Sequence, residues 1–295
     1  MEIFITGGTG YIGRHLCGEL LAAGHRITVL SRQSAERVRA VCGAVEVVHA
    51  PEELAAAEAV VNLAGEPIVG PRWGASRKRA LWESRVTLTE RLVARMGALE
   101  RPPRVLVSAS AVGFYGDRGD EVLVEASPPG TGFGAELCVA WEGAATAAER
   151  HGSRVCLVRT GPVLGPGGGL LSRMAPLFRL GLGGPLGDGR QWFAWIHLQD
   201  QLRVLRFLLE HDTLEGPFNA TAPTPVRQGE LARALGRMLR RPAMAPAPAF
   251  LLRLLLGEQA EVVLGSQRAV PERLTKAGFQ FRFNELEPAL RQAIS

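Results

Sequence analysis

Thr6-Gly7-Gly8-Thr9-Gly10-Tyr11-Ile12-Gly13 is the stretch on which the fold turns. Met1-Glu2-Ile3-Phe4-Ile5 ahead of it reads as a short buried strand. Arg14 to Ala23 behind it reads as a helix, with Leu16, Leu20 and Leu21 on one side and Gly24 just past the end. Strand, glycine turn and helix N-terminus together make a cradle for a pyrophosphate. Glycines let the backbone turn tightly and approach the phosphates, and the free N–H groups of the first helical turn point at the anion. A glycine-rich loop without a ligand is the alternative, and the strand and helix on either side argue against it.

The chain of 295 residues has room for one large α/β domain, or for a domain with a smaller lobe, and its 46% apolar content supports a sizeable core. No apolar run is long enough to span a bilayer, and Phe250 to Leu256 is short and interrupted by Arg253. The first strand begins at once, leaving no room for a signal peptide, so a cytoplasmic protein is expected. Cys17, Cys42, Cys138 and Cys156 show no close pairing, which argues against a disulfide framework or a metal site. The net charge is +5, and of 34 basic side chains only Lys78 and Lys276 are lysines. An arginine-rich composition or an anionic ligand would each explain this. No basic run interleaves with aromatics, so no nucleic-acid partner is expected.

Arg26 to Leu30 reads as a second strand ending in Ser31-Arg32. An acidic residue near this point suits the ribose of NAD, whereas an arginine suits the 2′-phosphate of NADP. Positions 30 to 33 carry no Asp or Glu, so Arg32 argues for NADP, with a plain surface arginine near Glu36 as the alternative. Further strands are expected at Ala44–Val48, Ala59–Leu63, Arg104–Val107, Arg154–Arg159 and Phe218–Ala220. Helices are expected at about 76–99, 134–151, 170–178, 200–211 and 227–240, with Asp200 as an N-cap. An extended piece is expected at Gly278–Phe283. This alternation predicts an α/β fold, a Rossmann-type doubly wound parallel sheet with a smaller C-terminal substrate lobe. The expected division is a nucleotide-binding domain over 1–165, rejoined by 195–220, and a smaller lobe from 166–194 and 221–295 that includes a C-terminal module over 248–295.

On these residues the chain resembles the extended short-chain dehydrogenases/reductases, and within them a subgroup called epimerase family proteins. The glycine loop matches the family. Asn62-Leu63-Ala64-Gly65-Glu66-Pro67, Trp82-Glu83-Ser84-Arg85, Trp141-Glu142, the stretch 157–165 and Trp195-Ile196-His197 match the subgroup. The last ~45 residues resemble its small C-terminal module of unknown function. The resemblance implies that Gly7, Thr9, Gly10, Tyr11, Ile12 and Gly13 hold the pyrophosphate. Ser31 and Arg32 would meet the 2′-phosphate, Leu63 and Ala64 would flank the adenosine, and Arg85 would lie near the cofactor.

The pattern breaks at the catalytic pair. Ordinary members carry a tyrosine with a lysine four positions later. Here the only tyrosines are Tyr11 and Tyr115, followed at that spacing by His15 and Gly119. Aligned on Trp141-Glu142, the two places fall near Gly134 and at Cys138. Ser110 stands where the family serine belongs, and Tyr115 could bring a phenol to the same crevice. Without a lysine its pKa should stay near ~10. The arginine that grips a nucleotide-sugar diphosphate is also missing ahead of Trp195, where Phe193 and Ala194 stand. His197 reads as a tempting base, and more simply as a buried residue leading into the next helix. The expectation is an NADP-binding oxidoreductase or epimerase-like protein acting on an unidentified small molecule through Ser110 and Tyr115. A non-catalytic NADP(H) sensor or scaffold is the alternative.

Overall fold

The computed structural model of the chain describes residues 1–294. Seven strands form one parallel sheet: β1 (Glu2–Thr6), β2 (Arg26–Leu30), β3 (Glu46–Val48), β4 (Ala59–Asn62), β5 (Val105–Ala111), β6 (Arg154–Thr160) and β7 (Gly216–Ala220). Their order is β7-β6-β5-β4-β1-β2-β3, so the winding reverses between β1 and β4. Ligands of open parallel sheets bind at such a reversal, beyond the carboxyl ends of the strands.

Successive residues of β1 face opposite sides of the sheet. Ile3 and Ile5 join a core with Leu16 and Leu20 of α1 (Tyr11–Ala22), Val38 of α2 (Ala35–Cys42) and the later helix Leu198–Glu210. Phe4 joins the opposite core. That core takes Leu92 and Met96 from the helical run 75–97, which comprises α3 (Ala75–Trp82), a π turn at Glu83–Thr87 and α4 (Leu88–Gly97), and Ala145 from α5 (Phe133–Thr146). A third cluster builds a smaller lobe from α6 (Leu171–Arg179), α8 (Gln228–Leu239) and α12 (Leu286–Ile294) around the buried Trp195, with α7 (Leu198–Glu210) behind it on the sheet. α9 (Ala249–Leu256), α10 (Ala260–Leu264) and α11 (Glu272–Lys276) complete the helices.

The C-terminal segment does not stay in that lobe. Arg268–Ala269 pairs with Val122–Leu123, and Leu274 and Phe279 enter the core on the α1 face. Gly278–Phe283, expected as extended structure, forms no strand. Phe279 instead packs edge-on against Phe207, 5.3 Å between centroids. The side chain of Asp200 holds this return by accepting from the backbone N–H groups of Arg282 and Phe283, each at 2.9 Å.

That use of Asp200 also corrects its expected capping role. The N-cap of α7 is His197, whose Nδ1 accepts from the N–H of Gln199 at 3.2 Å. With Nδ1 accepting, Nε2 carries the proton and faces Gln292 Oε1 at 2.6 Å. His197 is fully buried, and burial pushes its pKa down against the opposing pull of Gln292 and Asp200. Below pH ~6.5 the unfolded chain takes up a proton that the folded one refuses. The His197 contribution to stability is therefore present above that pH and lost as the pH falls. Urea unfolding at pH 7.5 and 5.5 should show a steeper loss for the native chain than for His197→Asn. Coincident slopes would mean that His197 is not held neutral.

Candidate functional site

A cleft of about 1260 Å³ opens at the carboxyl edge of the sheet and runs from the glycine loop into the smaller lobe. The loop is shaped by two glycines that nothing else could replace. Gly7 has φ 69°, and a Cβ there would stand 2.5 Å from the Leu63 carbonyl oxygen. A Cβ on Gly13 would stand 2.3 Å from the Gly7 oxygen. α1 begins at Gly10 with no capping side chain and no acidic residue in its first turn, so the first-turn N–H groups are left for a ligand. A cradle that a Cβ would fill, at an uncapped helix start, fits a dinucleotide pyrophosphate.

Tyr11 and Arg14 tie this loop to the chain beyond β6. The Tyr11 hydroxyl donates to the Pro166 carbonyl at 3.2 Å, and Arg14 donates to that of Gly167 at 2.7 Å. A Cβ on Gly168 would stand 2.3 Å from the Tyr11 ring, which accounts for a glycine there. Burial pushes the Tyr11 phenol up to about 12 despite Arg14, so it stays protonated.

Along the sheet edge, β1, β4 and β5 set Thr6, Asn62 and Ser108 side by side. Thr6 Oγ1 donates to Asn62 Oδ1 at 2.7 Å. Asn62 Nδ2 donates to Ser108 Oγ at 3.1 Å and to Thr89 Oγ1 at 2.8 Å. Thr89 donates in turn to the Arg85 carbonyl at 2.6 Å, within the π turn. The widened turn swings Arg85 under Gly65 and over Trp141, 5.3 Å from its ring centroid, where it donates to the Glu66 carbonyl at 2.8 Å. π turns recur at functional sites.

Ser110 lines the cleft and donates to Glu142 Oε1 at 2.6 Å. Behind it, Arg159 clamps Glu142 with two bonds of 2.8 Å, Nε to Oε1 and Nη2 to Oε2. Both partners are nearly inaccessible, with side chains 5% and 9% exposed. Burial works against the Arg159 charge, and the Glu142 pairing more than offsets it, so the guanidinium titrates above its ordinary range. Breaking such a pair costs about 3–5 kcal/mol.

Of the residues expected at the site, Gly7, Gly10, Tyr11, Ile12, Gly13, Leu63, Arg85 and Ser110 line the cleft. Thr9, Ser31, Arg32 and Ala64 lie outside its lining. Ala64 adjoins Gly7 and donates its N–H to Thr6 Oγ1 at 3.1 Å. Ser31 and Arg32 follow β2, where Ser31 Oγ accepts from the Gln33 N–H at 3.2 Å. The Arg32 side chain is 90% exposed and, among the described residues, pairs with Glu66 Oε1 at 3.0 Å. Pairs this exposed contribute under about 1 kcal/mol, so the guanidinium is free to turn to another anion.

Tyr115 is not at the site. It is wholly buried behind the cleft wall, where its hydroxyl accepts from Arg159 Nη1 at 3.0 Å and faces Asn219 Oδ1 at 2.7 Å. Burial raises its pKa, and the phenol is not part of the cleft lining. The expected second proton carrier is thereby withdrawn. Gly134 and Cys138, aligned with the missing pair, do line the cleft. Burial pushes the Cys138 thiol up to about 11, so it does not replace a lysine cation. The Glu142–Arg159 pair was missed. An arginine directly after the apolar run Val155 to Val158, in the same strand, and a glutamate on the buried face of α5 are the available signal, since buried charges need partners.

A parallel sheet with this winding and a glycine cradle at its reversal define a Rossmann-type dinucleotide-binding protein. The chain belongs to the NAD dependent epimerase/dehydratase family, which residues 3–220 match, and residues 247–293 match a domain of unknown function, DUF1731. It is 42% identical over 300 residues to the Arabidopsis thaliana epimerase family protein SDR39U1 homolog, chloroplastic, covering 99% of this chain and 86% of that one. It is also 42% identical over 299 residues to the Mycobacterium bovis epimerase family protein Mb2239, covering 99% and 97%. The crystal structure of human epimerase family protein SDR39U1 (isoform 2) with NADPH superposes with a TM-score of 0.90 at 33% identity, covering 99% of each chain.

Tyr115→Phe should lower stability by about 1–2 kcal/mol in urea unfolding, because Arg159 and Asn219 lose a buried partner. It should leave dinucleotide affinity unchanged. Gly13→Ala should lower stability and also weaken dinucleotide binding at least ~10-fold by calorimetry, since its Cβ meets backbone rather than a movable side chain.

Proposed function

We propose that this protein is an NADP-dependent oxidoreductase that moves a hydride to or from an uncharged, mainly apolar small molecule. The observation that carries this reading is that Ser110 and the glycine cradle open into one cleft. When bound, the nicotinamide would supply the hydride chemistry. Gly7, Gly10 and Gly13 would hold its pyrophosphate, Arg85 would add charge along the same wall, and Ser110 would meet the reacting oxygen of the substrate.

NADP rather than NAD is supported by Ser31 and Arg32 and by the lack of an acid at positions 30 to 33. The NADPH held by the human relative supports it too. The substrate class follows from the walls of the smaller lobe, where Leu170, Met174, Phe193, Leu231, Val263 and Leu264 line the cleft. Arg173 and Arg253 line it too, Arg173 donating to the Val69 carbonyl at 2.9 Å. Arg227 and Arg268 stack on Trp192 at 3.9 and 4.4 Å, and Arg227 also pairs with Asp120 at 2.7 Å. The absent Tyr-Lys pair supports a second reading, a sensor that binds NADP(H) without turnover.

Two titrations test the proposal. In NADPH and NADH fluorescence titrations, Arg32→Ala should weaken NADPH about 10-fold and NADH little, and equal losses would remove Arg32 from the 2′-phosphate. With NADPH in place, an apolar ketone such as 1-tetralone should bind and UDP-glucose should not. Tight cofactor binding with no hydride transfer in either direction, across a broad panel of carbonyls with NADPH and of alcohols with NADP, would favour the sensor.

A further inference from the structure

We infer that Glu142 takes the place of the missing tyrosine and lysine by turning Ser110 into a proton acceptor. The inference rests on the oxidoreductase reading above and concerns which group receives the substrate's proton.

A serine hydroxyl has one proton to donate and two lone pairs with which to accept. Glu142 is bound through both oxygens by the Arg159 guanidinium, so it is a carboxylate and can only accept. The 2.6 Å contact therefore commits the Ser110 proton to Glu142 Oε1, in the range of strong O–H···O⁻ bonds. Ser110 is 4% exposed, and its exposed edge lines the cleft. With its proton committed to Glu142, Ser110 has two lone pairs, of which one is within reach of the neighbouring Cys138 S–H and the other is left for the cleft. A substrate hydroxyl can donate to that lone pair, whereas a substrate carbonyl finds no donor.

The same line of atoms carries a proton. As the substrate alcohol is oxidised, its C–H electron pair leaves as hydride to the oxidised dinucleotide. The O–H bond breaks, its proton bonds to Ser110 Oγ, and the proton already on Ser110 passes to Glu142 Oε1. The substrate becomes a carbonyl, Ser110 is unchanged, and Glu142 is the neutral acid, still bound by Arg159 at Oε2, until the proton returns through Ser110 to water in the cleft once the product has left. Cys138 does not compete for this proton, being a thiol that burial keeps neutral, and Tyr115 lies on the far side of Arg159. Glu142 acts through Ser110 without touching substrate, so it is a positioning residue.

The test begins with the protein free of ligand. In its ¹H NMR spectrum the Ser110 hydroxyl should appear as a downfield, slowly exchanging resonance. It should vanish in Ser110→Ala and in Glu142→Gln, and persist in Tyr115→Phe. Absence from the native spectrum, or survival in Ser110→Ala, overturns the inference. Because Glu142→Gln strands a buried arginine, the double variant Glu142→Gln/Arg159→Met serves if the single one does not fold. The second readout is binding of 1-tetralol and 1-tetralone to the cofactor-loaded protein by calorimetry. The alcohol should bind at least ~10-fold more tightly than the ketone, and Ser110→Ala should erase the difference. Equal binding by the native protein overturns the inference. Failure of both compounds to bind would refute the apolar-substrate reading instead, with the NMR result still deciding the role of Glu142.

Discussion

The ion pair between Arg159 and Glu142 is the contact on which the rest of the site depends. It joins a strand of the sheet to the helix packed over it, and it is closed off from water on nearly every side. Around the guanidinium stand Tyr115, the Glu125 carbonyl at 3.0 Å and the Phe114 ring at 3.5 Å from its centroid. Through Tyr115 and Asn219 the network reaches Val270, whose carbonyl accepts from Asn219 Nδ2 at 2.9 Å. Glu125 continues it by accepting from the N–H groups of Asn219 and Arg273. One buried charge thus holds Ser110 in front and the returning C-terminal segment behind. A low-dielectric network of this kind stabilises only when every member is satisfied.

Much of this architecture was legible in the sequence, and the reasons are local. Apolar runs bounded by glycine or proline marked the strands, because a sheet covered on both faces needs side chains that bury well in either direction. The glycine loop declared its ligand because close backbone contact leaves no alternative residue at Gly7 and Gly13. What stayed hidden depends on contacts between distant positions. Nothing within five residues of Tyr115 says which way its ring turns. The answer lies in Arg159 and Asn219, 44 and 104 residues away. Asp200 has the chemistry of a cap, and its place in the sequence suggests one. It sits three residues into the pattern because its carboxylate serves the backbone of Arg282 and Phe283 instead.

The π turn at Glu83–Thr87 belongs to the same class of hidden feature. Its residues have ordinary helix propensities, so the stretch from about 76 to 99 reads as one unbroken helix. The widening is held by its surroundings: Ser84 accepts from the Glu66 N–H at 3.1 Å, and Thr89 anchors the turn to Asn62 and Trp141. The sheet edge and the arginine over Trp141 are therefore set by one hydrogen-bonded chain that crosses from strand to helix.

The Tyr11 latch has a consequence for how two ligands would sense each other. Its ring and the neighbouring Arg14 grip residues 166–169, which lead directly into α6 and so into the wall of the smaller lobe. The same ring stands beside the uncapped amides at the start of α1. A molecule that tightens one side of this ring alters the freedom of the other. Thermodynamic linkage then requires the effect to be mutual: whatever factor the first ligand adds to the affinity of the second, the second adds to that of the first. A single tyrosine at the head of a helix thus touches both the glycine cradle and the chain that leads into the smaller lobe, which is the contact any such mutual effect would have to cross.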